Sequence, residues 1–170
     1  MDLKEALDTA IRYERQVRDH YRAAQERVIN PRGKRVFETL GREEQGHIDY
    51  LESRLTEWSK VGKISSPELG TELPPLDWVA KARRKVSEGP DRTVAVQEEL
   101  DLLKVALELE RQTSSFYRKL VDTLPAADRG MFARFLEIEA GHLAIVQAEI
   151  DSLNGTGTWF DVMEFSLEAG

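Results

Sequence analysis

The sequence has 170 residues, of which 32% are charged and 41% hydrophobic, and a formal net charge of −7, as is typical of a single helical domain. No basic block and no run of 18 apolar residues occurs, which excludes an electrostatic surface for nucleic acid and a membrane span. The absence of cysteine excludes disulfides, thiolate zinc sites and iron–sulfur clusters, and the start lacks a signal-peptide pattern, so the sequence predicts a cytoplasmic protein.

The first two predicted helices form a hairpin. The first begins at Asp2, where Glu5 three residues later completes a capping-box pattern. Its inward-facing residues recur at steps of three and four, as in a helical bundle. These residues are Leu3, Leu7, Ala10, Glu14, Val17, Tyr21, Ala24 and Val28. A break at Pro31-Arg32-Gly33 predicts an antiparallel second helix, which carries Glu44-Gln45-Gly46-His47 and ends near Trp58.

The segment from about 59 to 91 differs in composition, since it contains four of the six prolines. It is predicted to be a long crossover between two hairpins, with a short helix near 77–82. It is not a domain linker, because neither hairpin could bury its apolar face alone. We therefore expect one domain over residues 1–153. The C-terminal tail, 154–170, is rich in aromatic residues and is expected to pack on the bundle or on a second copy.

The second half of the chain repeats the pattern of the first. The third helix has one inward-facing acid, Glu110, and a tyrosine, Tyr117, seven residues later; Glu14 and Tyr21 have the same spacing. The rest of its inward face is Leu100, Leu103, Leu107, Ser114, Val121 and Leu124. After a turn at 125–130, the fourth helix carries Glu139-Ala140-Gly141-His142, a second copy of the Glu-x-x-His motif.

The ionisable residues of these motifs lie on the core-facing side of their helices. Positions i and i+3 share a helix face, and steps of three and four from Phe37 and Phe135 lead onto the two motifs. Buried acids are costly unless they are paired, and no Lys or Arg stands on these faces. A metal ion would supply the positive charge, and oxygen and imidazole donors suit Fe, Mn or Zn. The candidate ligands are Glu14, Glu44, His47, Glu110, Glu139 and His142.

Several neighbouring residues have simpler interpretations. Glu43, Glu108 and Glu137 flank the inward faces and are predicted to be exposed to solvent. His20 lies off the inward face and is predicted to be a surface or rim histidine rather than a ligand. The six candidate ligands have an alternative as a metal-free polar core. Tyr21 and Tyr117 are interpreted as core aromatics whose hydroxyls find a local partner.

Two in-phase Glu-x-x-His motifs, each preceded by an inward-facing Glu, resemble the rubrerythrin-type ferritin-like domain over about residues 2–153. The resemblance implies an all-α, ferritin-like four-helix bundle of two antiparallel hairpins joined by the long crossover. It also implies that Glu44 and Glu139 bridge two metal ions. The remaining ligands would divide as Glu14 with His47 on one ion and Glu110 with His142 on the other. As the alternative to core packing, the resemblance implies that the hydroxyls of Tyr21 and Tyr117 bond to a ligand carboxylate.

This resemblance implies a cofactor of two Fe ions, with Mn or Zn as alternatives, and an oxidoreductase of ferroxidase, oxidase or peroxidase type acting on O2 or H2O2. Rubrerythrins carry a further Glu where this sequence has Thr113, and an iron–thiolate domain for which it has no cysteine. Peroxidase activity would therefore need an external electron-donor protein. A homodimer is expected because the crossover allows hairpins to be exchanged. The alternatives are iron binding or storage, and a metal-free bundle that binds a partner.

Overall fold

The computed structural model describes residues 1–74 and 94–155. Four helices lie in this part of the chain: α1 (Leu3–Arg27), α2 (Pro31–Val61), α3 (Val94–Thr123) and α4 (Ala126–Leu153). No strand occurs among these residues, so the predicted all-α four-helix bundle is confirmed. The helices pair as two antiparallel hairpins, α1 with α2 and α3 with α4, and α1 also packs on α3. None of the described helices is long and apolar enough to cross a membrane.

The first hairpin begins as predicted, but its turn lies earlier in the chain. Asp2 Oδ1 accepts a hydrogen bond from the Glu5 N–H at 2.8 Å, and Glu5 Oε2 accepts one from the Asp2 N–H at 3.0 Å, which confirms the capping box. The predicted break at 31–33 is wrong, because Pro31 is the first residue of α2. Proline suits this position, since the first N–H groups of a helix have no intrahelical partner. Asn30 caps the helix through its side chain.

The second helix runs one turn beyond the predicted end at Trp58. It continues to Val61, and Gly62, with φ of 67°, ends it in the left-handed conformation that glycine adopts without strain. The chain then has no regular structure as far as residue 74. The predicted helix at 77–82 and the tail from 156 onwards lie outside the described residues.

Residues 62–74, which we call the covering segment, lie against α2 and α4. The Tyr50 hydroxyl donates a hydrogen bond to the Pro67 carbonyl at 2.9 Å. Arg134 Nε donates to the Leu69 carbonyl at 3.2 Å, and the Leu69 side chain is buried. The covering segment is therefore attached to both hairpins, on the side of the bundle where α2 and α4 carry their histidines.

The buried apolar side chains form two clusters, with charged residues between them. One cluster includes Val17, Tyr21, Phe37, Leu103 and Ile145. The other includes Leu7, Leu51, Tyr117, Phe132 and Phe135. Along each helix, the residues between the two clusters form what we call the polar layer. It consists of Glu14, Glu44, His47, Glu110, Glu139 and His142.

We expect Gly33→Ala to destabilise the protein, although alanine is the better helix former. A Cβ at Gly33 would lie 1.9 Å from Glu99 Oε1 and 3.0 Å from Val28 Cγ1, so the buried Glu99 carboxylate would have to move. Disturbing a buried polar group costs about 1–3 kcal/mol, against a gain of about 1 kcal/mol in helix propensity. Thermal unfolding measures the difference. The control is Gly130→Ala, in an exposed part of α4 that the sequence predicted to be a turn, where a Cβ meets nothing within 4 Å. Equal gains in Tm for both variants would contradict the expectation.

Candidate metal centre

The structure brings all six predicted ligands together in the polar layer. Helices α1 and α3 contribute one carboxylate each, and α2 and α4 contribute one carboxylate and one imidazole each, because i and i+3 share a helix face. Every one of these side chains is buried, with a residue exposure of 1% or less. The six residues are Glu14, Glu44, His47, Glu110, Glu139 and His142.

The imidazole of His47 faces carboxylates from three helices. Its Nδ1 lies 3.2 Å from Glu14 Oε2, 3.3 Å from Glu44 Oε2 and 3.7 Å from Glu139 Oε1. The Phe135 ring packs edge-on against the imidazole, with centroids 5.2 Å apart. His47 is therefore oriented by packing so that Nδ1 points towards the carboxylates.

His142 has the same orientation in the second half of the site. Its Nδ1 lies 2.7 Å from Glu44 Oε1 and 3.4 Å from Glu110 Oε1. The rings of His142 and His47 are stacked, with centroids 5.3 Å apart and planes inclined by 6°. Two parallel imidazoles thus point the same ring nitrogen towards the same group of carboxylates.

The donor atoms form two overlapping groups, and either group could hold a metal ion. Within each group, one donor atom from every residue lies within 4.8 Å of the others. The first group is Glu14, Glu44, His47 and Glu139. The second group is Glu44, Glu110, Glu139 and His142. Glu44 and Glu139 therefore belong to both groups.

Many buried polar atoms of the layer make no hydrogen bond within the described residues, although some of them lie within ion-pair distance of one another. They are Glu44 Oε1 and Oε2, His47 Nε2, Glu110 Oε2, Glu139 Oε1 and Oε2, and His142 Nδ1 and Nε2. Buried polar atoms without partners are costly, and native proteins contain few of them. Within residues 1–74 and 94–155, the carboxylates of the polar layer form ion pairs with His47 and His142 and with no other basic residue. A cation among carboxylate and imidazole donors would give these atoms partners.

Burial and mutual repulsion keep some of the carboxyl groups protonated. Burial, followed by the charge of Glu44, raises the pKa of Glu14 to about 8. Burial and the charge of Glu110 raise the pKa of Glu139 well above its usual value. Burial opposes ionisation of Glu44 too, but the nearby imidazoles outweigh it and hold the pKa of Glu44 well below its usual value. The carboxylates therefore differ in charge although all of them are buried.

The two imidazoles are the positive groups of the metal-free site. Burial opposes protonation of His47, but Glu44 and Glu14 outweigh it and raise the pKa of His47 to about 10. Burial also opposes protonation of His142, but Glu44 and Glu110 outweigh it and raise the pKa of His142 well above its usual value. Without a metal, protons at these groups balance the charge, and bound cations would have to displace them.

The metal-free protein should lose stability as the pH rises from 6.5 to 8. In this window the native state holds protons that the unfolded chain releases, because Glu14 titrates at about 8 instead of 4.5 and His47 at about 10 instead of 6.5. Each excess proton costs about 1.4 kcal/mol per pH unit. Thermal unfolding in the presence of a chelator tests this. A Tm that rises between these pH values would contradict the assigned pKa shifts.

Two buried tyrosines connect the hairpins at the polar layer. The Tyr21 hydroxyl donates a hydrogen bond to Glu110, and the Tyr117 hydroxyl donates one to Glu14. Each tyrosine thus binds the carboxylate of the other hairpin. Burial and the neighbouring carboxylates raise the pKa of both hydroxyls well above the usual value, so they remain protonated donors. The sequence left two interpretations of these tyrosines open. The structure shows the second one, a hydrogen bond from each hydroxyl to a candidate ligand.

Replacing Tyr117 with Phe should weaken both the fold and metal binding. The substitution leaves a buried oxygen of Glu14 without its hydrogen-bond donor, which should cost about 1–3 kcal/mol of stability. Loss of such an outer partner typically lowers metal affinity by about 10- to 100-fold. Zn²⁺ titration against a competing chelator, with urea unfolding, measures both effects. The control is Tyr13→Phe on α1, whose ring stacks on Phe116 outside the polar layer. Unchanged Zn²⁺ affinity in Tyr117→Phe would contradict the role of this hydroxyl.

The prediction that Glu43 is exposed is wrong. Glu108 and Glu137 are exposed as predicted, but Glu43 is buried because the covering segment folds over it. Thr71 Oγ1 donates to Glu43 Oε2 at 2.6 Å, and the Glu72 N–H donates to Glu43 Oε1 at 2.7 Å. Sequence reasoning missed this residue, because its burial depends on a segment distant in sequence.

Two further predictions concern residues outside the six. His20 lies off the polar layer, as predicted, and its Nε2 is 2.9 Å from the Leu102 carbonyl oxygen. Thr113 is fully buried, and its hydroxyl donates to the Leu109 carbonyl at 3.1 Å. The position where rubrerythrins have a further Glu therefore holds a neutral side chain that is bonded to its own helix.

Comparisons with known proteins support the fold alone. No protein-family model and no curated protein matches the chain. A solved structure described as a hypothetical protein from Pyrococcus furiosus is similar in fold, with a TM-score of 0.65 and 21% sequence identity. The similarity covers 94% of each chain.

Proposed function

We propose that this protein is a rubrerythrin-like, non-haem di-iron oxidoreductase that reacts with O2 or H2O2 at the polar layer. The observation that carries the proposal is the pair of overlapping donor groups with Glu44 and Glu139 in common. Two ions held by these groups would share both carboxylates. The four carboxylates of the layer would also match the charge of two divalent cations.

The remaining ligands would divide between the two ions. Glu14 and His47 would complete one ion, and Glu110 and His142 the other, since each pair belongs to one donor group only. Oxygen and imidazole donors without thiolates suit iron, with Mn or Zn as alternatives. Each group offers four protein ligands, which leaves coordination positions for a small oxidant.

When bound, two iron ions supply the electrons for two-electron chemistry with O2 or H2O2. The chain positions the ligands: Tyr21 and Tyr117 hold Glu110 and Glu14 through their hydroxyls, which limits movement of these carboxylates. The apolar clusters on both sides of the polar layer exclude water from it. Because the sequence contains no cysteine, the reducing equivalents for repeated turnover would come from an electron donor outside this sequence.

Metal content and oxidant reactivity test the proposal together. Protein purified without added chelator and then loaded with iron under anaerobic conditions should hold two iron ions per chain. Exposure to O2 or H2O2 should then produce the near-ultraviolet absorption of oxidised carboxylate-bound iron. A faster reaction with O2 would indicate oxidase or ferroxidase activity, and a faster reaction with H2O2 would indicate peroxidase activity. Iron content well below two per chain would favour a metal-free bundle that binds a partner. A large closed shell in native mass spectrometry would favour iron storage.

A further inference from the structure

The outer sides of the two stacked imidazoles are not used by the polar layer. Because Nδ1 of His47 and of His142 faces the inner carboxylates, the nitrogen left on each ring is Nε2. Both Nε2 atoms are buried, and neither has a hydrogen-bond partner within the described residues. The Nε2 of His142 is directed towards Glu43 Oε2, 3.9 Å away, which is too long for a hydrogen bond.

Glu43 adds a carboxylate on this outer side. One donor atom each from Glu43, His47 and His142 lie within 4.8 Å of one another, and all three residues are buried. The hydrogen bonds from Thr71 and the Glu72 N–H hold the Glu43 carboxylate in place. Two imidazoles and one carboxylate are a donor set that binds Zn²⁺ and other divalent transition metals.

A cavity connects this outer side with the covering segment. It has a volume of about 370 Å³ and is partly open to solvent, and Glu43, His47 and Thr71 are among its lining residues. Gly46 also lines it, and a Cβ at that position would meet nothing within 4 Å. Leu69 and Arg42 also line the cavity, and the Arg42 guanidinium pairs with Glu38 and Glu72. A hydrated cation could therefore approach Glu43 and His47 through this opening.

We propose that Glu43, His47 and His142 form an outer site that binds a divalent cation in transit to the dinuclear centre. The proposal rests on the proposed function, because it requires the inner ligands to be the final destination. The covering segment shapes the opening of the site, and Glu43 supplies the negative charge that attracts the ion.

The outer site and the dinuclear centre use the same two histidines, so each imidazole can bind an ion at only one of the two sites at a time. A neutral imidazole has one nitrogen lone pair. Both imidazoles are positive in the metal-free protein, so an ion binding at the outer site would displace the Nε2 proton to solvent while Nδ1–H still donates to an inner carboxylate. When Nδ1 binds an inner ion, Nε2 carries the proton and can donate towards Glu43. The outer site therefore empties as the inner centre fills, and the fully loaded protein holds two ions per chain.

Zn²⁺ loading tests the outer site without redox chemistry. Glu43→Gln keeps the shape and one acceptor oxygen but removes the charge. We expect this variant to reach two Zn²⁺ per chain at equilibrium, with a loading rate in stopped-flow lower by about tenfold or more, a factor typical of losing a supporting carboxylate. The control is Glu52→Gln on the same helix, whose carboxylate pairs with Arg15 away from this cavity, and which should load at the original rate.

A second variant isolates the outer site from the inner one. It carries glutamine at three inner positions, and the amides at 14 and 110 can still accept the two tyrosine hydrogen bonds. Circular dichroism checks the fold. The substitutions are Glu14→Gln, Glu110→Gln and Glu139→Gln. This variant should retain one weakly bound Zn²⁺ per chain, and adding Glu43→Gln should lower that affinity about tenfold or more.

The outcomes separate this proposal from the proposed function. Two Zn²⁺ in the original protein together with unchanged loading by Glu43→Gln would overturn the outer site and leave the dinuclear centre standing. Fewer than two Zn²⁺ per chain in Glu43→Gln at equilibrium would also overturn it, because Glu43 would then support the inner ligands. No Zn²⁺ or iron in the original protein would overturn the proposed function itself.

Discussion

Replacing Glu139 with Gln should have opposite effects on metal binding and on the stability of the metal-free protein. Glu139 belongs to both donor groups, so the amide should lower the affinity for both ions. Loss of an outer partner of a ligand lowers metal affinity by about 10- to 100-fold, so loss of a ligand should lower it by about 100-fold or more. Burial and the surrounding acids raise the pKa of Glu139, so the metal-free native state favours a neutral group there. Glutamine is always neutral, and Tm measured with a chelator should therefore rise.

The matched control for this variant is Glu137→Gln. Glu137 lies two residues earlier on α4 and is exposed, so its amide should change neither metal content nor the Tm of the metal-free protein. Metal analysis and thermal unfolding on the same samples give both quantities. A lower Tm in metal-free Glu139→Gln would show that its native carboxylate is charged and satisfied. Full metal content would remove Glu139 from the ligands.

Truncation of Phe135 should cause the largest loss of stability among the substitutions considered. Its side chain is fully buried, and its ring packs on His47 and Tyr117, with centroids 5.2 and 5.0 Å away. Phe135→Ala should cost about 3–5 kcal/mol because it leaves a cavity beside the polar layer. It also removes the wall that orients His47, so we expect weaker metal binding as well.

Urea unfolding with a chelator and with excess Zn²⁺ measures both effects of the Phe135 substitution. The control is Phe135→Leu, which leaves a smaller cavity and should lose less stability. Zn²⁺ should restore part of the loss in both variants, because the ion binds the native state in preference to the unfolded one. A loss below about 1 kcal/mol in Phe135→Ala would mean that the site collapses around the smaller side chain.

The helices and the six candidate ligands could be predicted because both depend on local spacing. Steps of three and four place Glu14 and Glu110 among buried residues, and the repeated motif places a histidine one turn after Glu44 and Glu139. Nothing in the spacing of α2 predicted that Glu43 would be buried. Its burial depends on the covering segment, which has no helical period and reaches it from 28 residues away.

Local spacing also could not predict which carboxylate each tyrosine hydroxyl binds. The seven-residue interval placed Tyr21 on the same face as Glu14, but the hydroxyl binds Glu110 in the other hairpin. Which carboxylate it reaches depends on α1 and α3 lying antiparallel, so that the start of one faces the end of the other. The reciprocal bond from Tyr117 to Glu14 follows from the same packing.

These two reciprocal bonds have a consequence for how the hairpins align. If one hairpin slid along the other by a helical turn, about 5.4 Å, many apolar side chains would still meet apolar side chains. Both tyrosines would nevertheless miss their carboxylates, and acids would face aliphatic side chains. A misaligned packing is thus destabilised at two equivalent places, the Tyr21–Glu110 and Tyr117–Glu14 hydrogen bonds. The same charges that burden the folded state also select a single arrangement of the four helices.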